Sequence, residues 1–260
     1  MQKNKSPRIL YLDIETSPLL SYTWDIWDQT IGLNQIKEDW RIISFAAKWA
    51  DEREVIQRDL RRGINDKNEY RMLKQVWKLL DKSDIVVGQN SKRFDIKKLN
   101  DKFLKYKMGP PSSYRQIDTL SLSKKYFSPT SHKLEYRSKT LNKKYKKMEH
   151  SKFSGFALWK ECMNNNQTAW KEMALYNVWD VLSTEEYHLL LQPWDNSINY
   201  SVFSDDPMYH CNCGSDSFSK NGWKYTNFGK YRRWLCKDCG SESKDKTNLL
   251  SKVKQKLLRN

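Results

Sequence analysis

Residues 9–18 constrain the fold more than any other stretch of the sequence; they read Ile-Leu-Tyr-Leu-Asp-Ile-Glu-Thr-Ser-Pro. Aliphatic and polar residues alternate, which predicts a half-buried β-strand with two different faces. The carboxylates of Asp13 and Glu15 leave the polar face two residues apart. Two like charges this close repel each other unless a cation lies between them, and Mg²⁺ prefers such oxygen ligands. The strand therefore predicts half of a divalent-metal site.

The rest of the first three quarters of the chain has the alternating pattern of a layered α/β domain. Apolar runs predict strands at 8–15, 41–49, 54–60 and 84–88. Helical periodicity predicts helices at 67–81, 95–108, 118–127, 156–163 and 167–191, with a basic loop or helical insert at 128–155. We expect a domain over residues 1–194, a linker over 195–208, a small cysteine module over 209–243 and a basic tail over 244–260.

The charge of the chain indicates its class of partner. The net charge is +16 and the mean hydropathy is −0.88. Such an excess favours a polyanionic partner, nucleic acid above all, and the alternative is a basic surface that serves only solubility. No run of 18 apolar residues occurs, so no membrane partner is expected. The N-terminus leads straight into the first strand, so we expect no secretory signal and a cytoplasmic protein.

Two further segments carry acidic residues at the ends of predicted elements. Residues 88–95 run from the end of a strand through a polar turn to Asp95, which starts a helix. The alternative is that Asp95 only stabilises the helix, because a carboxylate in the first turn interacts favourably with the helix dipole. Tyr176 and Asp180 are four residues apart and therefore share one face of a helix; the alternative for Tyr176 is a core residue of an amphipathic helix.

With these segments in this order, the chain resembles the DEDD superfamily of 3′–5′ exonucleases over residues 8–194. Residues 12–16 look like the first motif of that family, and Asn90 with Phe94 and Asp95 looks like the second. Tyr176 and Asp180 look like the third motif in its tyrosine variant. Residues 90–95, 117–119 and 173–181 resemble the predicted RNase H-like exonucleases of bacteria and phages. The resemblance implies an RNase H-like mixed sheet flanked by helices, and the host cytoplasm if the chain is phage-encoded.

The resemblance also implies a role for each acidic residue. Asp13, Glu15 and Asp180 would hold one Mg²⁺ or Mn²⁺, and Asp13 would bridge to a second ion. Asp95 would reach that second ion directly or through water, and Tyr176 would orient the attacking water. Elementary chemistry agrees, because phosphodiester hydrolysis needs a hydroxide at neutral pH and relief of charge on the leaving oxygen, which two metal ions supply.

Other polar residues near these motifs are candidates for supporting roles. Asp118 could join the metal site, but a cap of the following helix is the preferred interpretation. Asn90 is a candidate contact of the scissile strand or of the turn backbone. Lys92 and Arg93 are candidate phosphate contacts, and the alternative is simple solvated charge.

A basic stretch over residues 133–152 holds 8 Lys or Arg against 2 Glu. Within it, Lys143 and Lys144 are the preferred substrate contacts, because lysines interleaved with tyrosines suit the backbone of a single strand. The same stretch also contains Lys139, Lys146 and Lys147. Trp24, Trp27 and Trp40 could stack bases or pack in the core.

The C-terminal cysteines predict a metal rather than disulfides, since no export signal is seen. Cys236 and Cys239 form a Cys-x-x-Cys knuckle that ends in a glycine, and counting back three from Cys213 gives His210. The module resembles a zinc ribbon with His in place of its first Cys, as in ribbons of DNA-transacting phage and transposase proteins. The preferred Zn²⁺ ligands are His210, Cys213, Cys236 and Cys239, with Cys211 as the rival for the first position. Four protein ligands imply a structural zinc.

The segment between the cysteines is expected to form a hairpin around 221–222 and 228–229. Residues 210–260 hold 12 Lys or Arg against 4 Asp or Glu. This basic ribbon suits nucleic-acid binding through its aromatic side chains, and a protein-interaction ribbon is the alternative. The aromatic residues are Trp223, Tyr225, Tyr231 and Trp234.

Together these features predict a two-metal-ion 3′–5′ exonuclease with a zinc ribbon that assists substrate binding. Single-stranded DNA is the expected substrate, with DNA favoured over RNA. Two other classes fit the same fold: a non-catalytic nucleic-acid-binding module and an RNase H-like endonuclease. The sequence does not identify protein partners.

Overall fold

The computed structural model describes residues 6–146 and 152–259. The chain divides into two compact units, Arg8–His188 and the chain from Leu189 onwards. None of the helices in these described ranges combines the length and apolar character needed to cross a bilayer.

The elements of the larger unit follow one another as strands and helices. The strands are β1 (Ile9–Thr16), β2 (Leu20–Ser21), β3 (Ile36–Glu38), β4 (Ile42–Trp49), β5 (Val55–Asp59), β6 (Ile85–Gly88) and β7 (Arg115–Asp118). The helices are α1 (Asp66–Asp81), α2 (Asp95–Lys105), α3 (Thr119–Tyr126), α4 (Leu134–Leu141), α5 (Phe156–Met163) and α6 (Gln167–Leu191), of which α6 runs past the boundary into the smaller unit.

A five-stranded mixed sheet is the centre of this unit, with the strand order β5-β4-β1-β6-β7. Strand β4 is antiparallel to both β1 and β5, whereas β6 and β7 run parallel to β1. Every residue of β4 is buried, as expected for a strand covered on both faces. Helices flank the sheet, so the predicted RNase H-like α/β fold is confirmed.

The apolar face predicted for β1 is buried. Leu10, Leu12 and Ile14 join the main hydrophobic core, which packs against α1, α2 and the start of α6. The register of β1 against β4 shifts between Glu15 and Thr16. Such a bulge bends a strand locally and re-aims the side chains beside it.

Local signals predicted most boundaries, and the differences have physical reasons. Helix α1 starts one residue earlier than predicted, because the Asn65 side chain caps it by accepting the Asn68 N–H. Strand β7 was not predicted: only four residues long, it pairs with β6 and ends at Asp118. The connection over 16–40 contains the short hairpin of β2 and β3.

The smaller unit is built on a three-stranded antiparallel sheet. Its elements are β8 (Phe218–Thr226), β9 (Gly229–Cys236), β10 (Glu242–Lys244) and α7 (Lys252–Leu257), and β9 is the central strand. The hairpin turn lies at 227–228, one residue before the predicted 228–229, but Asn221 and Gly222 lie inside β8. They form an irregularity where the register shifts between Lys220 and Trp223, which is a common place for a glycine with positive φ.

Residues 195–208, expected to be a linker, make specific hydrogen bonds within the smaller unit. The Asn212 side chain donates to the Ile198 carbonyl at 2.7 Å and accepts from the Tyr200 N–H at 2.9 Å. Gln192 donates to the Asn212 carbonyl at 2.7 Å. The half-buried Asn212 side chain therefore holds this polar segment against the start of the cysteine module.

Candidate functional site

Three carboxylates meet at the end of the central strand of the larger unit. Asp13 and Glu15 come from β1, and Asp180 comes from α6. One oxygen from each lies within 4.8 Å of the other two. Asp180 is buried, and the other two are half-buried, so the cluster opens on one side. The structure thus brings together three of the four acidic residues predicted to hold metal.

The chemistry of this donor set fits a divalent cation. Three carboxylates within contact distance repel one another, and burial of Asp180 makes the repulsion stronger by lowering the local dielectric. A hard cation with oxygen preference, such as Mg²⁺ or Mn²⁺, removes this cost and needs only a few carboxylates.

A buried amide holds one of the three carboxylates. The Nδ2 of Asn177 donates to Asp13 Oδ2 at 2.5 Å and to the Asp13 carbonyl at 3.3 Å. Its Oδ1 accepts from Ser44 Oγ at 2.8 Å, and Gln57 in turn donates to Ser44 Oγ at 3.3 Å. Sequence reasoning missed this chain of contacts. The available signal was the position of Asn177 three residues before Asp180, on the same helical face.

Asp95 lies beside the three carboxylates but outside their group. Its Oδ1 accepts the Ile14 N–H at 3.0 Å, which ties the start of α2 to β1 between the two acidic residues of that strand. The pKa of Asp95 is raised to about 7. Burial is the largest cause and the charges of Asp118 and Asp180 add to it, while backbone hydrogen bonds oppose it.

Asp118 caps α3, as preferred from the sequence, and also organises the neighbouring turn. Its Oδ1 accepts from the N–H groups of Leu120 and Ser121, at 3.0 and 3.2 Å. The same carboxylate accepts from the N–H of Asn90 at 3.1 Å and of Lys92 at 3.2 Å. Asp118 therefore acts on the backbone of the turn that leads to α2.

This turn is packed tightly on β1. Asn90 has a φ of 61°, in the left-handed region where Asn is among the better tolerated residues. A Cβ on Gly88 would lie 2.6 Å from the Ser91 Cβ and 3.0 Å from the Leu12 carbonyl oxygen. Only a glycine allows this approach.

Tyr176 lies one turn before Asp180 on α6 and is buried. Its ring packs edge-on against Trp159, with centroids 6.0 Å apart. The predicted shared face with Asp180 follows from the observed helix. On the same helix, the Nδ1 of His188 lies 2.9 Å from the Tyr11 hydroxyl in a buried contact.

The predicted phosphate contacts are exposed. Lys92 and Arg93 lie on the surface of the turn before α2. Lys143 and Lys144 are also exposed, and their backbone N–H groups donate to Glu186 at 2.6 and 3.1 Å, so that α6 holds this loop. Lys147 and the other residues of 147–151 lie outside the described residues.

The three tryptophans that could stack bases or pack in the core differ in their exposure. Trp40 is half-buried and packs against the core, with the ammonium groups of Lys98 and Lys102 at 3.7 and 3.9 Å from its ring centroid. Trp24 and Trp27 are exposed, at 96% and 79%.

Four cysteines form a second candidate metal centre, in the smaller unit. The sulfurs of Cys211, Cys213, Cys236 and Cys239 all lie within 4.8 Å of one another. The structure places Cys211, the rival for the first position, in this group and leaves the preferred His210 outside it. The Nε2 of His210 instead lies 3.0 Å from an Asp206 carboxylate oxygen, whereas the Cys211 sulfur lies 3.5 Å from that of Cys239.

A tight turn at the first two cysteines explains why Cys211, and not His210, joins the other sulfurs. The Gly214 N–H donates to the Cys211 carbonyl, and Gly214 has a φ of 89°. This tight turn brings two sulfurs separated by a single residue to the same side. Four thiols fit the tetrahedral sulfur set that Zn²⁺ prefers.

The electrostatics of the cluster favour a cation. Although burial opposes ionisation, backbone N–H groups at Cys239 and Asp238 outweigh it and lower the pKa of Cys236 to about 6. Burial raises the pKa of Cys213 to about 11 and that of Cys211 further still. Without a cation, the four sulfurs cannot all be thiolates near neutral pH.

Comparisons with known proteins agree with this architecture. A family model described as the RNase_H superfamily matches residues 10–190. The solved structure of the family B DNA polymerase from the hyperthermophilic archaeon Pyrobaculum calidifontis is similar, with a TM-score of 0.51 and 14% sequence identity. The similarity covers 73% of this chain and 26% of the polymerase chain, and at this identity it concerns the fold alone. No curated protein matches the chain at a significant level.

Proposed function

Because this chain belongs to the RNase_H superfamily, we propose that its larger unit is a metal-dependent nuclease, and more specifically a 3′–5′ exonuclease of the DEDD type. The observation that carries the proposal is the group of three carboxylate oxygens from Asp13, Glu15 and Asp180 within 4.8 Å of one another. Two of them come from the central strand β1, and one comes from the long helix α6, on which Tyr176 lies one turn away.

The proposed division of labour follows from position. Asp13, Glu15 and Asp180 would hold Mg²⁺ or Mn²⁺, with Asp95 as the fourth acidic residue of the site. When bound, the ions supply a nucleophilic hydroxide at neutral pH and offset the charge that develops on the leaving oxygen. Asn177 holds the Asp13 carboxylate in place through a 2.5 Å hydrogen bond, so the ligand keeps its orientation.

Tyr176 is proposed to orient the attacking water. Its phenol, with an ordinary pKa of about 10, is a poor base at neutral pH but a good hydrogen-bonding group. Packing against Trp159 limits the directions that its ring can adopt. Orientation of this kind lowers the entropy cost of attack.

The proposed substrate is single-stranded DNA. Lys92 and Arg93 lie on the exposed turn before Asp95, where phosphates of a strand entering the acidic site would pass. Asn90, Lys143 and Lys144 are proposed as further substrate contacts. The smaller unit is proposed as a zinc ribbon, with Zn²⁺ held by its four cysteines, that assists substrate binding.

Linear and circular single strands incubated with Mn²⁺ test the activity. A 3′–5′ exonuclease shortens a 5′-labelled linear strand into a ladder and releases a labelled mononucleotide first from a 3′-labelled one. The circle stays intact. Cleavage of the circle would indicate an endonuclease, and no cleavage of either substrate would indicate a binding module.

Asp13→Ala is the matched control, since it removes a ligand from the acidic group and leaves the cysteine cluster unchanged. Hydrolysis that persists in this variant would refute the assignment of the site. A parallel series with an RNA strand of the same sequence tests the preference for DNA.

A further inference from the structure

One face of the hairpin in the smaller unit carries two aromatic and two basic side chains side by side. The strand register places Trp223 opposite Arg232 and Tyr225 opposite Lys230. Side chains directly opposite each other in an antiparallel pair leave the sheet on the same face, and residues two apart on one strand share that face. The four side chains therefore form one cluster, here named the aromatic–basic face.

The members of this face contact one another. The guanidinium carbon of Arg232 lies 3.6 Å from the ring centroid of Trp223, and the Lys230 ammonium lies 4.3 Å from it. The same ammonium lies 5.8 Å from the Tyr225 ring. Tyr225 is 66% exposed, and the other three are half-exposed. Cations on the rings hold the rings and charges in one preorganised arrangement at the surface.

We propose that the aromatic–basic face binds single-stranded nucleic acid by stacking unpaired bases on Trp223 and Tyr225. The two rings are roughly 6.7 Å apart along the strand, so that successive bases can each reach one. Lys230 and Arg232 are positioned for the phosphates, and a guanidinium can also stack on a base. A duplex keeps its bases inside and offers only phosphates, so stacking selects an unpaired strand.

Charge complementarity identifies nucleic acid as the occupant. Residues 210–260 hold 12 Lys or Arg against 4 Asp or Glu, an excess that attracts a polyanion. The inference rests on the proposed function in nucleic-acid processing, and it names the surface by which the smaller unit holds the single strand.

The opposite face of the same hairpin provides a matched control. There the Lys244 ammonium lies 3.9 Å from the ring centroid of Tyr231. The neighbouring Arg233 pairs with Glu242 at 3.4 Å, so an acidic group offsets part of the positive charge on that face. Tyr231→Ala/Lys244→Ala removes one aromatic ring and one lysine, as does Trp223→Ala/Lys230→Ala.

The test measures binding by the full chain without hydrolysis. Both double variants are made in an Asp13→Ala background, loaded with zinc. Each is titrated against a fluorescent oligothymidylate of about 20 nucleotides and against an abasic strand of the same length, with fluorescence anisotropy as the readout. The abasic strand has the same phosphates but no bases, so it isolates the stacking contribution.

We expect Trp223→Ala/Lys230→Ala to weaken oligothymidylate binding roughly 10-fold or more, as loss of a stacked base predicts. On the abasic strand, the two double variants should lose the same amount of affinity, since each lacks one lysine. Equal weakening by the two pairs on oligothymidylate, or an equal loss on both strands, would overturn the proposal.

Tyr225→Ala provides a second variant, because its exposed ring can be removed without repacking. It should weaken binding several-fold on oligothymidylate and leave abasic binding unchanged; no effect on oligothymidylate would also count against stacking. The zinc content of each variant reports folding of the ribbon. Because binding is measured in the Asp13→Ala background, this test does not depend on hydrolysis. The binding proposal can therefore fail while the nuclease proposal holds, and the nuclease proposal can fail while the binding proposal holds.

Discussion

The buried amide of Asn177 makes the sharpest prediction about the acidic site. Asn177→Leu keeps the approximate volume of the side chain but removes both hydrogen bonds that Asn177 donates to Asp13. The Asp13 carboxylate then loses the 2.5 Å hydrogen bond that fixes its orientation, while the other acidic residues keep their places. We expect a loss of hydrolysis without loss of the fold.

The magnitude follows from the kind of hydrogen bond. A bond to a charged acceptor contributes about 1.5–3 kcal/mol, which corresponds to about a 10- to 150-fold loss of rate if the full amount is lost in the transition state. Because Asp13 is a proposed metal ligand, the Mn²⁺ concentration that gives half-maximal rate should rise as well.

Ser44→Ala is the matched control for this variant. It removes the 2.8 Å hydrogen bond at the far end of Asn177 and leaves the contact with Asp13 in place. An unsatisfied buried oxygen costs about 1–3 kcal/mol, so this variant should lose stability to urea with only a small change in rate.

The assay is initial-rate hydrolysis of a labelled single strand over a series of Mn²⁺ concentrations, with urea unfolding of the same samples. A wild-type rate and a wild-type Mn²⁺ requirement in Asn177→Leu would refute the positioning role. Equal losses of rate in the two variants would attribute the effect to general packing instead.

Three further predictions concern other parts of the chain. Tyr176→Phe keeps the ring packing and removes the hydroxyl; the rate should fall by about 10- to 100-fold with little change in melting temperature, and an unchanged rate would contradict the proposed role. Cys211→Ser should lower the bound zinc measured by atomic absorption, whereas His210→Ala should retain one equivalent per chain; the reverse pattern would restore the original ligand assignment. Burial alone would raise the pKa of Asp59, but hydrogen bonds from Arg61 and Gln57 hold that pKa below its usual 3.8. This stabilisation is complete above the unfolded pKa and is lost as pH falls through the lower folded pKa. Asp59→Asn should therefore lower the free energy of unfolding in urea by about 2 kcal/mol near neutral pH, and by progressively less below pH 3.8. A loss of stability that does not depend on pH would contradict the ion-pair explanation.

Several features of the fold were predictable because they depend on local periodicity. The alternation in residues 9–16 predicted a strand with Asp13 and Glu15 on one side, and the structure has that strand. The spacing in α1 and α6 predicted the observed helices, and Tyr176 and Asp180 lie one turn apart for the same reason. Such patterns repeat within a few residues, so no knowledge of distant neighbours is needed.

Other features were not predictable, because their causes lie far away in the chain. Strand β7 has too few residues to show a period, and it exists because β6 offers it a parallel partner. Asn177 reads as an ordinary helix residue until Ser44 and Asp13, both more than 130 positions away, are placed against it. Trp24 and Trp40 cannot be told apart by the sequence, yet Trp24 is exposed whereas Trp40 is half-buried against the core.

The sequence by itself determined which chemistry was available: an acidic pair on one strand, a tyrosine and an aspartate on one helical face, and a cluster of cysteines in a basic segment. The tertiary structure decided which of these groups meet. It brought Asp180 to Asp13 and Glu15, left Asp95 hydrogen-bonded to the backbone of β1, and placed Cys211 rather than His210 among the sulfurs. The physical reason is that side-chain direction follows from local backbone periodicity, whereas convergence depends on strand order, register and turn geometry, which only the packed chain sets.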